Sequence, residues 1–203
     1  MNFLSSLLLC TAINVDTLKI SFSLKKDTSL TLKFKIFFAS IFTTIITFLS
    51  LCLGKIIDIY FTQGLSNIFG SVLLGFTGIY YIVEHIRVLK DRQGFDTSHY
   101  AENFKKYKNI IEMDNSYTKK ISIKHLIDIC IGLSLNNIWP CIAGSLTGIS
   151  FPLIILFNFL ICLIFILCGQ FITRHSFIRF ISSYHYLITS ILLIILSLVE
   201  GFI

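Results

Sequence analysis

The sequence predicts an all-α membrane protein with six transmembrane helices, arranged as a 3+3 inverted repeat with the N-terminus and the C-terminus outside. Three observations lead to this class. Of the 203 residues, 55% are hydrophobic and 14% are charged, whereas a soluble domain has about 25% charged residues. Long apolar runs recur along the chain, and the basic residues fall into alternate connections between those runs.

Six apolar segments are long enough to cross a bilayer, for which a helix needs about 20 residues. They cover approximately residues 3–24, 36–54, 65–86, 125–148, 152–172 and 181–203. The first segment has no basic start and is longer than the apolar part of a signal peptide, so we interpret it as a membrane span. The predicted domains are a first three-helix repeat (1–90), a basic cytoplasmic linker (91–123) and a second three-helix repeat (124–203).

The distribution of Lys and Arg predicts the orientation. All of these residues except Lys19 and Lys55 lie in the first, third and fifth connections. The positive-inside rule therefore places those three connections in the cytoplasm. The net charge of +6 then reflects orientation and contact with anionic lipid, and no nucleic-acid partner is predicted. The expected environment is the lipid bilayer of a bacterial plasma membrane; the sequence does not define an oligomeric state.

Two polar patches interrupt the apolar pattern. Asp16 lies inside the first span, and the patch 133–137 lies at a similar depth in the fourth span, with Asn136 where a second aspartate is expected. An ionisable side chain inside a bilayer costs about 2.5–3.5 kcal/mol on insertion scales, so such a residue suggests a functional site. Three spans in each half require the halves to have opposite orientations, and transporters built in this way bind their substrate between the repeats.

Both patches resemble a signature of the manganese efflux pumps and of their relatives, the sporulation membrane proteins called YtaF. That signature places an aspartate in spans one and four, and residues 12–17 (AINVDT) match the first copy. Residues 133–137 (LSLNN) match the second copy except for the aspartate. The lead-in to span four, with DNS at 114–116 and ISIK at 121–124, is closer to the YtaF branch, and the glycine-spaced third span is also similar to the family.

The resemblance implies export of a divalent cation, chiefly Mn²⁺, along a path lined by two aspartates. Of this pair, only Asp16 is present. Asn136 replaces the second aspartate, Lys19 stands where the family tends to have a small residue, and His125 replaces a lead-in glutamate.

The candidate ion site combines Asp16 with oxygen-bearing side chains of the two patches, since hard divalent ions favour such ligands. These additional residues are Asn14, Ser134, Asn136 and Asn137. Alternatives stay open. Lys19, at position i+3, can pair with Asp16 as a structural ion pair that neutralises the site, or it can extend toward the first connection. Asn136 and Asn137 can instead form interhelical hydrogen bonds.

Three further features bear on the site. Pro140 predicts a break in the fourth helix beside the polar patch. Glu84 and Asp128 are candidates for a cytoplasmic vestibule; a location at the membrane interface is the favoured explanation of Glu84, and Asp128 pairs most simply with Lys124. His185, at the start of span six, receives no predicted role.

The sequence favours a divalent-cation exporter with a partly degenerate site; the alternative is a non-transporting, sporulation-related membrane protein with a structural or interaction role. Catalytic motifs are absent from the sequence, so we do not expect an enzyme. The six cysteines show neither a CxxC pair nor a Cys/His metal spacing, and no cofactor is expected.

Overall fold

The computed structural model describes residues 2–23, 30–92, 123–171 and 175–202, and this part of the chain is helical. The described helices are α1 (Asn2–Ser23), α2 (Leu30–Asp58), α3 (Gln63–Arg92), α4 (Ile123–Leu146), α5 (Phe151–Phe171) and α6 (His175–Gly201). The all-α prediction is confirmed, and each predicted span coincides with one helix. Helices α2, α3 and α6 extend about six residues beyond the predicted spans at their polar ends. Most of the predicted linker lies outside the described residues.

Four of the described helices are long and apolar enough to cross a membrane, through Phe37–Asp58, Gly64–Leu89, Phe151–Cys168 and Ser183–Gly201. The described apolar stretch of α1 is Phe3–Leu18. Helix α4 is described over a shorter range of side chains and is not among the four. The chain therefore has the character of a multi-pass membrane protein.

The helices of the two halves of the chain interleave. Helix α1 packs against α4, α5 and α6, helix α2 against α4 and α5, and helix α3 against α4 and α6. Within the described residues, every extensive contact between helices joins one of α1, α2 and α3 to one of α4, α5 and α6. Neither half therefore forms a packed core by itself.

Residue contacts determine the relative directions of the helices. Helices α1 and α4, α2 and α5, and α3 and α6 are antiparallel, whereas α1 and α5 are parallel. The pairs that establish these directions are Asp16–Asn136, Leu9–Gly144, Thr43–Cys162, Phe48–Phe151, Ser71–Ser197, Tyr81–Tyr186, Cys10–Ile154 and Asn14–Asn158. The carboxyl ends of α1, α3 and α5 thus lie with the amino ends of α2, α4 and α6 at one end of the bundle.

Small residues allow close backbone approach where the halves meet. A Cβ added to Gly70 of α3 would lie 2.8 Å from the Ala143 carbonyl oxygen of α4 and 2.8 Å from the Thr147 backbone nitrogen. A Cβ added to Gly54 of α2 would likewise lie 2.7 Å from the Ile142 carbonyl oxygen of α4. Contacts of this kind draw association energy from van der Waals packing, which is important where both lipid and protein are apolar.

We predict that Gly70→Ala destabilises the bundle, because the new methyl group meets backbone atoms that cannot rotate away. Overpacking of this kind costs about 1–3 kcal/mol. The matched control is Gly132→Ala in α4, where an added Cβ meets no atom of the described residues within 4 Å and the greater helix propensity of alanine is favourable. Thermal unfolding of the purified protein in detergent should show a lower midpoint for Gly70→Ala only; equal midpoints would contradict this packing.

Candidate functional site

The Asp16 carboxylate lies at the meeting point of α1, α4 and α6. The Asn136 Nδ2 of α4 donates to Asp16 Oδ2 at 3.3 Å, and Asp16 Oδ1 lies 3.8 Å from His185 Nε2 of α6. The Asp16 side chain is 15% exposed, and that of His185 is 3% exposed. Asp16 precedes the end of α1 at Ser23 by a distance of about 10 Å along the helix axis. The structure therefore combines one carboxylate, one amide and one imidazole inside the bundle.

His185 has no predicted role, yet the structure places it beside Asp16. The predicted sixth span starts at residue 181, and the apolar stretch of α6 starts nearby, at Ser183. Helix α6 itself begins at His175, nearly three turns before His185. The available signal is an ionisable side chain just inside the predicted span.

Asn136 is held by a hydrogen bond that depends on Pro140. Proline has no backbone N–H, so the carbonyl group four residues earlier, that of Asn136, loses its helical donor. The Tyr81 hydroxyl of α3 donates to this carbonyl oxygen at 3.0 Å. The predicted break at Pro140 is wrong, since α4 continues through it to Leu146. The replacement donor from α3 explains how the helix tolerates the proline.

Asn14 belongs to a different polar cluster. Its Nδ2 donates to the Cys10 carbonyl oxygen and to Asn158 Oδ1 of α5, both at 2.8 Å. Its Oδ1 accepts from the Thr17 hydroxyl at 3.4 Å, and Asn158 Nδ2 donates to the Thr44 hydroxyl of α2 at 3.4 Å. Both asparagine side chains are fully buried. Asn14, predicted only as an ion ligand, thus forms interhelical hydrogen bonds that tie α1 to α5, and through Asn158 to α2.

The remaining predicted residues are distributed as follows. Ser134 and Asn137 are buried in α4, on either side of Asn136 in sequence. Glu84 accepts a hydrogen bond from Arg87 within α3, and the two form an ion pair at 3.4 Å. The side chains of Lys19 and Asp128 lie outside the described residues. The structure thus brings Asp16 and Asn136 into direct contact and gives Asn14 other partners.

A second buried histidine lies near the same end of the bundle. His85 of α3 is 5% exposed, and its ring lies against that of Tyr184, with centroids 5.8 Å apart. Its Nδ1 has no hydrogen-bond partner among the described residues. Tyr184 precedes His185 in α6, so both histidines belong to the α3–α6 side of the bundle.

The site has fewer metal-binding side chains than a typical metal centre. Within the described ranges, no group of three or more His, Cys, Asp or Glu side chains is placed to hold a metal ion. Asp16 and His185 supply two such groups, and Asn136 supplies an amide. No known family model, curated protein or solved structure matches this chain.

We predict that Tyr81→Phe destabilises the bundle, because it leaves the Asn136 carbonyl buried without its donor, at a cost of about 1–3 kcal/mol. Pro140→Ala should reduce this loss, since alanine restores an N–H to the same carbonyl. The measurement is a double-mutant cycle on the unfolding midpoint in detergent, with Tyr60→Phe, at an exposed position, as the control. Additive effects of the two substitutions would show that Tyr81 and Pro140 act independently.

Proposed function

We propose that this chain exports a divalent cation across a bacterial plasma membrane, through a site built around Asp16. The observation that carries the proposal is the position of this carboxylate at the junction of α1, α4 and α6. Polar and ionisable groups inside membrane bundles are costly, and they concentrate on substrate and ion pathways.

The packing pattern supports six spans arranged as an inverted repeat. If α1, α2 and α3 are exchanged with α4, α5 and α6, the set of contacting helix pairs is unchanged. The three corresponding pairs are all antiparallel, as halves of opposite orientation require. Asp16 and Asn136, which occupy matching places in the two polar patches, touch each other. A site between the repeats is the usual place for a transported substrate.

The basic connections support an orientation with both termini outside. The carboxyl ends of α1, α3 and α5 share one end of the bundle with the amino ends of α2, α4 and α6. These helix ends and the sequence segments between them hold most of the Lys and Arg residues. By the positive-inside rule, this end faces the cytoplasm. Asp16 and Glu84 are both closer to this end of their helices, so Glu84 belongs to the cytoplasmic approach to the site.

The resemblance to the manganese efflux pumps and YtaF proteins makes Mn²⁺ the first ion to test. Asn136 in place of an aspartate removes one formal negative charge, so the site is weaker for a hard divalent ion than a pair of carboxylates. The alternative function, a non-transporting sporulation-related membrane protein, is favoured by the absence of a three-group metal cluster among the described residues and by the hydrogen bond that already joins Asn136 to Asp16.

We predict that cells expressing the chain retain less Mn²⁺ than control cells and that Asp16→Asn abolishes this difference, because the amide removes the negative charge of the Asp16 carboxylate from the site. Cellular metal content by mass spectrometry is the measurement. The matched control is Asp58→Asn, also an acid-to-amide change, at the end of α2 where Asp58 pairs with Lys55. Cells expressing this variant should have the same lowered Mn²⁺ content as cells expressing the wild type.

Equal Mn²⁺ content in cells with wild type, Asp16→Asn and empty vector, at equal protein levels, would favour the non-transporting alternative. The complementary variant combines Lys19→Gly with Asn136→Asp, which restores both family features. Stronger Mn²⁺ export by this double variant would show that the two departures weaken the site.

A further inference from the structure

We infer that the His185 imidazole is a ligand of the transported ion, so that the site takes nitrogen-favouring divalent ions such as Co²⁺ and Zn²⁺ in preference to Mn²⁺. This inference rests on the proposed export function and specifies its substrate class. It follows from the proximity of His185 to Asp16. The family signature contains the aspartate but no such histidine.

The separation of the two side chains suits a shared ion. His185 Nε2 and Asp16 Oδ1 are 3.8 Å apart. Two ligands of one tetrahedral ion with bonds of about 2.0–2.1 Å lie about 3.4 Å apart. A shift of a few tenths of an ångström would therefore allow one ion to contact both atoms. Small rotations of the Asp16 carboxylate are sufficient for such a shift.

Asn136 holds the carboxylate from its other oxygen. Its amide nitrogen donates to Asp16 Oδ2 at 3.3 Å, which leaves Oδ1 on the side of His185. Water can complete the coordination. Few protein ligands suit a transported ion, which must leave the site as readily as it enters.

The chemistry of this ligand set differs from that of a two-aspartate site. Carboxylate, carbonyl and water ligands suit Mn²⁺, whereas imidazole suits Zn²⁺ and later transition metals, whose affinity for nitrogen rises along the series from Mn²⁺. Asn136 removes a charged oxygen ligand and His185 adds a neutral nitrogen ligand. Both changes disfavour a hard ion relative to a borderline one.

Aromatic packing fixes the position of the imidazole. The rings of His185 and Tyr186 have centroids 4.0 Å apart, and Tyr186 stacks on Tyr81 at 6.0 Å with an interplanar angle of 25°. Tyr81 in turn holds the Asn136 backbone. The same pair of tyrosines therefore positions both His185 and Asn136 around Asp16.

The test uses the purified full-length chain and two readouts. Co²⁺ binding is followed by its visible absorption in detergent, and Co²⁺, Zn²⁺ and Mn²⁺ fluxes are measured in proteoliposomes. Wild type should bind Co²⁺ and transport Co²⁺ and Zn²⁺ faster than Mn²⁺. His185→Asn should weaken Co²⁺ binding about tenfold or more, and His185→Asp should reverse the preference toward Mn²⁺. The matched control, His85→Asn, removes a buried histidine that lies against Tyr184 and should keep the wild-type preference.

The outcomes separate the two proposals. Faster Mn²⁺ than Co²⁺ and Zn²⁺ flux in wild type, or equal losses for all three ions in His185→Asn, would overturn the ligand role of His185 while leaving export intact. Histidine-dependent Co²⁺ binding without flux of any ion would overturn export and retain the ion site. Neither binding nor flux by folded protein would overturn both.

Discussion

The lack of water inside a bilayer governs the polar interactions of this bundle, since each polar group buried there must find its partner within the protein. Asp16 meets Asn136 and His185, Asn14 meets Asn158, and the carbonyl freed by Pro140 meets the Tyr81 hydroxyl. Each of these contacts joins different helices. The polar residues that reduce the apolar character of α1 and α4 are thus the residues that determine which helices lie side by side and in which register.

Close packing supplements these polar contacts. Glycines at the junctions of α2 and α3 with α4 bring helix surfaces to within backbone contact. Serine hydroxyls also donate to carbonyl oxygens of neighbouring helices, as Ser145 of α4 does to Leu51 of α2 and Ser197 of α6 does to Ser71 of α3. Interaction through small residues requires precise register, because one bulky side chain would separate the helices. The position of Asp16 relative to its neighbours therefore depends on contacts far from it along the bundle.

The sequence predicts the helical class and the approximate helix positions well, because long apolar runs report membrane burial directly. Helix ends were less predictable, since α6 starts at His175, before the predicted span. The contact of His185 with Asp16 was not predictable, because it depends on how α1 and α6 face each other. The polar patches identified Asp16 and Asn136, which do touch, but placed Asn14 in the same group. Two residues along a helix rotate a side chain by about 200°, so Asn14 faces α5 while Asp16 faces α4 and α6. The break expected at Pro140 failed because a local rule cannot anticipate a donor from α3.

The interleaving of the two halves has a consequence for biosynthesis. The first three helices leave the ribosome before the last three exist, and within the described residues they share no extensive contact with one another. Asn14 therefore lacks its partner Asn158 until α5 is synthesised. The Tyr81 hydroxyl likewise lacks the carbonyl group of Asn136 until α4 is synthesised. Assembly therefore completes only after synthesis of α6. A chain truncated after the third helix should be a substrate for membrane quality control, since its buried polar groups have lost the partners that the complete chain provides.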